Sequence, residues 1–352
     1  MTTSPSASTL REVPTIRVRR GSTSSYVGGA FVAVAVLVLA GWVPYHVDLG
    51  TLSNLVGLFV LVILAVTWNL MAGYGGMISI GQQAFIGAGG YGVIYLADTV
   101  GIPLLVSVPL AGVVCALLAL PTSFLLFRLA GGYFAIGTWV VAEVFKLATT
   151  QIDALGGGSG LSLTAFSGVD RVDRVAQVYW TALVLMVLVV LGTYLVMRSR
   201  LGLGLTAIRD NATAASSLGV RVNRSRRIVY VAASAGAGMA GALIALNSLR
   251  VSPDSIYSVN YSAFMIFIVV IGGLGSIEGP IIGAVVFFVL EQELADYGSW
   301  YLVLLGVVAI AVVLLLPRGL WGLLSGNGRI QVFGVGYRVR EVPGTSDQVQ
   351  PT

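Results

Sequence analysis
Apolar residues run through this chain in blocks about as long as a bilayer is thick, and polar residues collect in the gaps. A helix needs about 20 mainly apolar residues to cross the hydrocarbon core. On that measure the chain predicts ten candidate spans, at 27–47, 55–72, 77–98, 104–127, 133–150, 179–197, 228–247, 261–274, 280–295 and 299–316. The expected fold class is all-α: a polytopic membrane protein of about ten transmembrane helices, some broken or re-entrant. Residues 1–25 are polar, basic and rich in Ser and Thr, and read as a disordered cytoplasmic tail. The length of that tail and of the run after it does not fit a cleavable signal. The membrane domain is expected over 26–322, with a second polar cytoplasmic tail over 323–352.

Glycine interrupts the apolar pattern in clusters. Residues 73–92 read GYGGMISIGQQAFIGAGGYG, with eight glycines in twenty positions. A regular helix is disfavoured there. The segment is either a broken helix beside a pathway or a helix whose glycines admit close neighbours. Ser79, Gln82 and Gln83 favour the pathway, because amides at membrane depth need partners. A second cluster, GGYFAIGT at 131–138, opens the span carrying Glu143 and Lys146. Those two lie three apart on one helical face and can pair. The pair is either functional or a structural ion pair near the outer end of the helix. A third cluster, IGGLGSIEGPIIGA at 271–284, makes a turn between spans, with Pro280 and Glu278 suited to a helix start. Ser234, Gly238 and Ala242 recur at four-residue spacing as a packing seam.

Composition agrees with a membrane chain. Hydrophobic residues make up 57% and charged residues 10%, against about 25% charged in soluble domains. Sidedness follows from the basic residues. With the N-terminus inside, sixteen of the twenty fall on the cytoplasmic side, and Arg171, Arg174 and Arg250 fall outside. That bias predicts an N-in/C-in topology. The arginines border the membrane rather than sharing one face, so no nucleic-acid partner is expected. One histidine (His46) and one cysteine (Cys115) exclude an internal disulfide and argue against a transition-metal site. There is no GxxxxGK[ST] phosphate loop, no GxSxG and no HExxH, and the lone lysine, Lys146, sits in a span. The chain is therefore not expected to be an enzyme, nor an ATPase by that mechanism. Glu291 and Glu293 point to different helix faces near an outer border. The outer loop 151–178, with GGGSGL at 156–161, either meets a substrate-delivering protein or is a solvated connector.

The polar interruption at 198–227 carries seven arginines against one acid, Asp210. It is too short for a domain and long enough for helical turns that dock onto a partner. With NLMAGYGGMISIGQQAFIGAGGY (69–91), GGYFAIGT, GGGSGL and IGGLGSIEGPIIGA, its sequence RSRLGLGLTAIRDNATAASSLGV resembles the permeases of branched-chain amino-acid ABC importers, of the LivM type. Importer permeases carry an EAA-type coupling element, with two alanines followed four residues later by glycine. Ala214, Ala215 and Gly219 match it, Thr213 stands where the acid is expected, and Asp210 is the nearest substitute.

The resemblance implies a coupling set of Ala207, Arg209, Asp210, Asn211, Ala214, Ala215 and Gly219, on a short rigid helix over roughly 206–217. It implies separate ATPase subunits that bind the ATP, a second related permease and an extracytoplasmic binding protein. It places the chain in the bacterial inner membrane, with lipid around it and no cofactor of its own. Candidates for the substrate path, chosen by chemistry, are Asn69, Ser79, Gln82, Gln83, Tyr91, Tyr133 and Thr138. Leucine, isoleucine or valine is the expected cargo; urea, short amides or other amino acids are the alternative. Two other readings stand beside it. The central loop is otherwise an amphipathic segment on anionic lipid, and the chain is otherwise a stand-alone ion-coupled transporter using Glu143 and Lys146.

Overall fold
Asp48 starts the first long helix, α1 (Leu49–Asn69). Its carboxylate accepts from the Thr51 amide at 3.0 Å and the Thr51 hydroxyl at 2.7 Å, satisfying a donor that the helix start leaves open. The computed structural model describes residues 15–20, 38, 41–294, 300–316, 319–325, 333 and 337–342. Most of the first expected span, 27–47, lies outside them.

After α1, the chain forms α2 (Gln83–Ile94), α3 (Leu104–Leu126), α4 (Gly132–Thr150) and α5 (Arg171–Arg198). The polar interruption forms α6 (Arg200–Asp210) and α7 (Ala212–Ser217). Then come α8 (Val222–Ser248), the short α9 (Pro253–Ile256), α10 (Asn260–Gly272), α11 (Glu278–Leu294), α12 (Trp300–Leu315) and α13 (Gly319–Leu324). The all-α class holds. Among the described residues, five segments are long and apolar enough by themselves to cross a membrane: Leu49–Tyr74, Leu104–Leu126, Arg171–Arg198, Val222–Ser248 and Pro253–Gly272. Helices α2, α11 and α12, at 12, 17 and 16 residues, are shorter.

Helix α1 is the hub. Within its most apolar window 83% is buried, against 33% in α3 and 28% in α5, so the latter two turn broad apolar faces outward. Helix α2 packs on α8, and backbone nearly meets backbone there. A Cβ on Gly89 would lie 2.0 Å from the Gly238 carbonyl oxygen, and one on Gly241 1.9 Å from that of Ile86. Of the expected seam of Ser234, Gly238 and Ala242, Gly238 stands at this contact, and Gly241 supplies the other close approach, so the two helices meet at a distance no side chain would permit. Cys115, fully buried on α3, fills the other side of Gly238.

The connections sort into two ends. At one, the Asp98 carboxylate accepts from the Thr164 and Ala165 amides at 2.8 and 2.6 Å, and β2 (Leu161–Ser162) pairs with β3 (Arg250–Val251). At the other lie Gly73, α6, α7 and the turn 273–277. The tail read as disordered needs correction in part. Thr15–Arg20 forms a strand, β1, paired antiparallel with β4 (Tyr337–Val342). TIRVRR and YRVREV both alternate apolar and charged positions, a two-residue period that suits strands.

Candidate functional site
The polar interruption does not form one rigid helix over 206–217. It forms two, because Asn211 leaves the helix (φ −158°, ψ 105°) and accepts from the Ala214 amide at 3.0 Å with its side chain. An Asn side chain that bonds nearby backbone favours a cap over a helix interior. Helix α6 lays Leu205 and Ile208 into the core, and α7 is anchored by Ala215. Ala207 is half-buried, whereas Asp210, Ala214 and Gly219 are exposed, as is Leu218 at 83%. Gly219 takes φ +86°, which closes the turn after α7 in a conformation that suits glycine.

Arg209 reaches back into the membrane domain. Its Nη1 donates to the Gly73 carbonyl at 2.8 Å, in the π turn Leu70–Tyr74 that ends α1. The same nitrogen lies beside Gly275, where a Cβ would approach it to 2.9 Å. Asn69 completes the junction. Its Nδ2 donates to the Ser276 carbonyl at 2.8 Å, and its Oδ1 accepts from the Gly275 amide at 3.0 Å. Three clusters separate in sequence, 73–76, 206–217 and 271–284, thus meet at one point. Asn69 clamps a turn here, and its amide is committed at both ends.

Beyond Gly75 the backbone leaves the helix until Gln83. Its polar groups are met from three helices. Trp68 Nε1 donates to the Ser79 carbonyl at 2.9 Å, the Ile80 amide donates to Thr138 Oγ1 at 3.1 Å, and Ser262 Oγ donates to the Ile80 carbonyl at 3.1 Å. Non-helical backbone at membrane depth survives only with such partners. The broken reading therefore holds for 76–82, and close packing through glycine holds for α2. Ser79, Gln82, Gln83 and Thr138 gather around this break, joined by Ser262, which sequence reasoning missed because its hydroxyl partner lies 179 residues away at Gln83. Gln82 Oε1, Gln83 Nε2 and Tyr91 Oη are buried and find no hydrogen-bond partner among the described residues. Tyr91 stacks on Tyr257, with ring centroids 6.2 Å apart. Tyr133 stands apart from this set, 75% exposed on α4.

Lys146 does not pair with Glu143. Its Nζ lies 2.7 Å from Asp254 Oδ1, on the first turn of α9, and so ties α4 to α9 at the Asp98 end. The carboxylate comes from another segment, so spacing along α4 does not reveal it. The Glu143–Lys146 pair that an ion-coupled relay needs is not assembled.

One feature went unread in the sequence because four segments contribute to it. A cavity of about 470 Å³ lies between α1, α8, α10 and α11, bordered by Ser53, Val60, Asn247, Tyr261 and Glu291. Among the described residues, no cluster of His, Cys, Asp or Glu has metal-ligand geometry.

Comparison with known proteins follows the same line. A family model described as "Branched-chain amino acid transport system / permease component" matches residues 50–314. The chain is 29% identical over 313 residues to the high-affinity branched-chain amino acid transport system permease protein LivM of Escherichia coli (strain K12), covering 82% of this chain and 73% of that protein. It is 25% identical over 240 residues to a probable branched-chain amino acid transport permease protein LivH of Methanocaldococcus jannaschii, covering 59% and 75%. It is 30% identical over 161 residues to the high-affinity branched-chain amino acid transport system permease protein BraD of Pseudomonas aeruginosa, covering 44% and 52%. No solved structure matches the chain. The apolar helices and these relatives make it a multi-pass inner-membrane protein. Because the family model runs from α1 into α12, the chain belongs to the family of branched-chain amino acid transport permease components.

Proposed function
We propose that this chain is the permease subunit of an ATP-driven ABC importer for branched-chain amino acids. It forms part of the translocation path, while ATP is bound and hydrolysed by separate ATPase subunits. A second, related permease and an extracytoplasmic binding protein complete the assembly. The observation that carries this reading is the Arg209–Gly73 bond, which links a small solvent-facing element to the break in the membrane core. A lever needs a pad, a hinge and an arm. The pad is the exposed face of α7 around Ala214 and Leu218, the hinge is Asn211, and the arm is α6 with Arg209 at its end. Motion of the arm pulls on the π turn after α1 and, through Asn69, on the turn before α11.

Ten spans with both termini inside fit this arrangement. The basic residues favour it, and the pairing of Thr15–Arg20 with Tyr337–Val342 supports an even number of crossings, since both tails must share one side. The path candidates reduce to Gln82, Gln83 and Tyr91, each with one polar atom open among the described residues, with Ser79 and Thr138 holding the backbone around them.

The test is reconstitution. The chain, co-expressed with the ATPase, second permease and binding protein of its own importer, should purify as one complex and show ATP-dependent leucine uptake in proteoliposomes. Ala215→Arg should abolish uptake by dislodging α7 while the complex still assembles. Uptake by this chain alone, indifferent to ATP, would sink the proposal.

A further inference from the structure
The 470 Å³ cavity is within the size range of small-molecule sites. It is bounded on α1 by residues from Ser53 to Leu61, so it reaches about 12 Å along that helix from the Asp48 end. Its rim is polar. Ser53 Oγ donates to Asn247 Oδ1 at 2.8 Å, and Gln292 stands nearby on α11. Its floor is apolar, made by Val60, Leu61 and Phe264, all buried. One carboxylate, Glu291, borders it, and among the described residues no Lys or Arg pairs with Glu291. An ionisable group within a membrane helix normally has a partner or marks a ligand path.

We infer that this cavity binds a molecule with an ammonium group and a short branched apolar body, its cation on Glu291 and its hydrocarbon on Val60, Leu61 and Phe264. A carboxylate without a counter-ion attracts a cation, and the floor has no polar group to hold a hydrophilic body. An aliphatic α-amino acid has that form, and Gln292 also lines the cavity beside Glu291. The inference rests on the importer reading and deepens it: the cavity is then the first station inside the permease, ahead of the break at 76–82.

Gly57 borders the cavity, and a Cβ there meets nothing within 4 Å, so Gly57→Cys sets a thiol at its wall without a clash. The full importer complex carrying this variant is placed in nanodiscs and labelled with a cationic methanethiosulfonate reagent. Leucine should slow labelling about tenfold at ~10 times its dissociation constant. Isopentylamine, which keeps the ammonium and the branched chain, should also protect. 4-Methylpentanoate, which lacks the ammonium, should not. Adding Glu291→Gln should remove the protection, and in uptake assays Glu291→Gln alone should raise the half-saturating leucine concentration about tenfold. Labelling that ignores both leucine and isopentylamine overturns the site. Equal protection by 4-methylpentanoate overturns the role of Glu291. If the wild-type complex fails to take up leucine, isoleucine and valine with ATP, the importer reading falls instead, and the labelling result still decides the cavity.

Discussion
Arg209 donates to the carbonyl of Gly73 at 2.8 Å across 136 residues of sequence. The carbonyl belongs to a π turn, where the helix ladder is already loosened. An arginine on a soluble-facing helix thus holds the one stretch of the hub helix best able to change its winding.

On the proposed importer reading, replacing Arg209 should separate ATP hydrolysis from uptake. A hydrogen bond to a charged group is worth about 1.5–3 kcal/mol. Arg209→Ala should therefore lower the uptake supported by a given ATP turnover roughly 10- to 100-fold, with the complex intact on size exclusion. Uptake per ATP equal to wild type would rule this out.

Asn69 should matter for stability before it matters for transport. Asn69→Leu leaves the Ser276 carbonyl and the Gly275 amide without their partner. Both groups are part-buried, and each left without a partner costs up to about 1–3 kcal/mol. The variant should lose heat stability in a fluorescence-detected melting assay, while a path residue would leave the melting point unmoved.

Two glycine substitutions should part in sign. Gly89→Ala drives a methyl into the Gly238 carbonyl and should cost at least ~1–3 kcal/mol, seen as lost yield of folded protein. Gly192→Ala, on α5, meets nothing within 4 Å and should gain up to about 1 kcal/mol from helix propensity. Comparable melting curves for the two would refute the packing of α2 on α8.

Acid should loosen the start of α1. The Thr51 hydroxyl and then the Thr51 amide hold the Asp48 carboxyl below its ordinary value of 3.8. A depressed carboxyl contributes stability above its unfolded pKa and loses it as pH falls through the folded one. The contribution should therefore fade only below about pH 4. Asp48→Asn, which still caps, should flatten that part of the melting-point profile; an unchanged profile would exclude Asp48 as its source.

What could be seen in the sequence followed from local composition. The glycine density at 73–92 marked a segment that is broken over 76–82 and close-packed in α2, the small residues around Gly238 marked a close helix contact, and the arginine excess marked the element that became α6 and α7. What could not be seen were partners brought from elsewhere. Asn69 looked like a path residue because an amide at depth needs a partner, yet its partners are 206 and 207 residues away. Lys146 looked paired with Glu143 because only α4 was in view, yet Asp254 supplies the carboxylate. Asn211 was the exception, a local signal passed over, since its cap on Ala214 needs only three residues.

The unwound backbone at 76–82 is stitched by Trp68 on α1, Thr138 on α4 and Ser262 on α10. Sliding any of the three past the others would strip those bonds, at about 1–3 kcal/mol for each group left unpaired. These helices must then travel as a single block, and the give that alternating access demands has to be found at the block's margins.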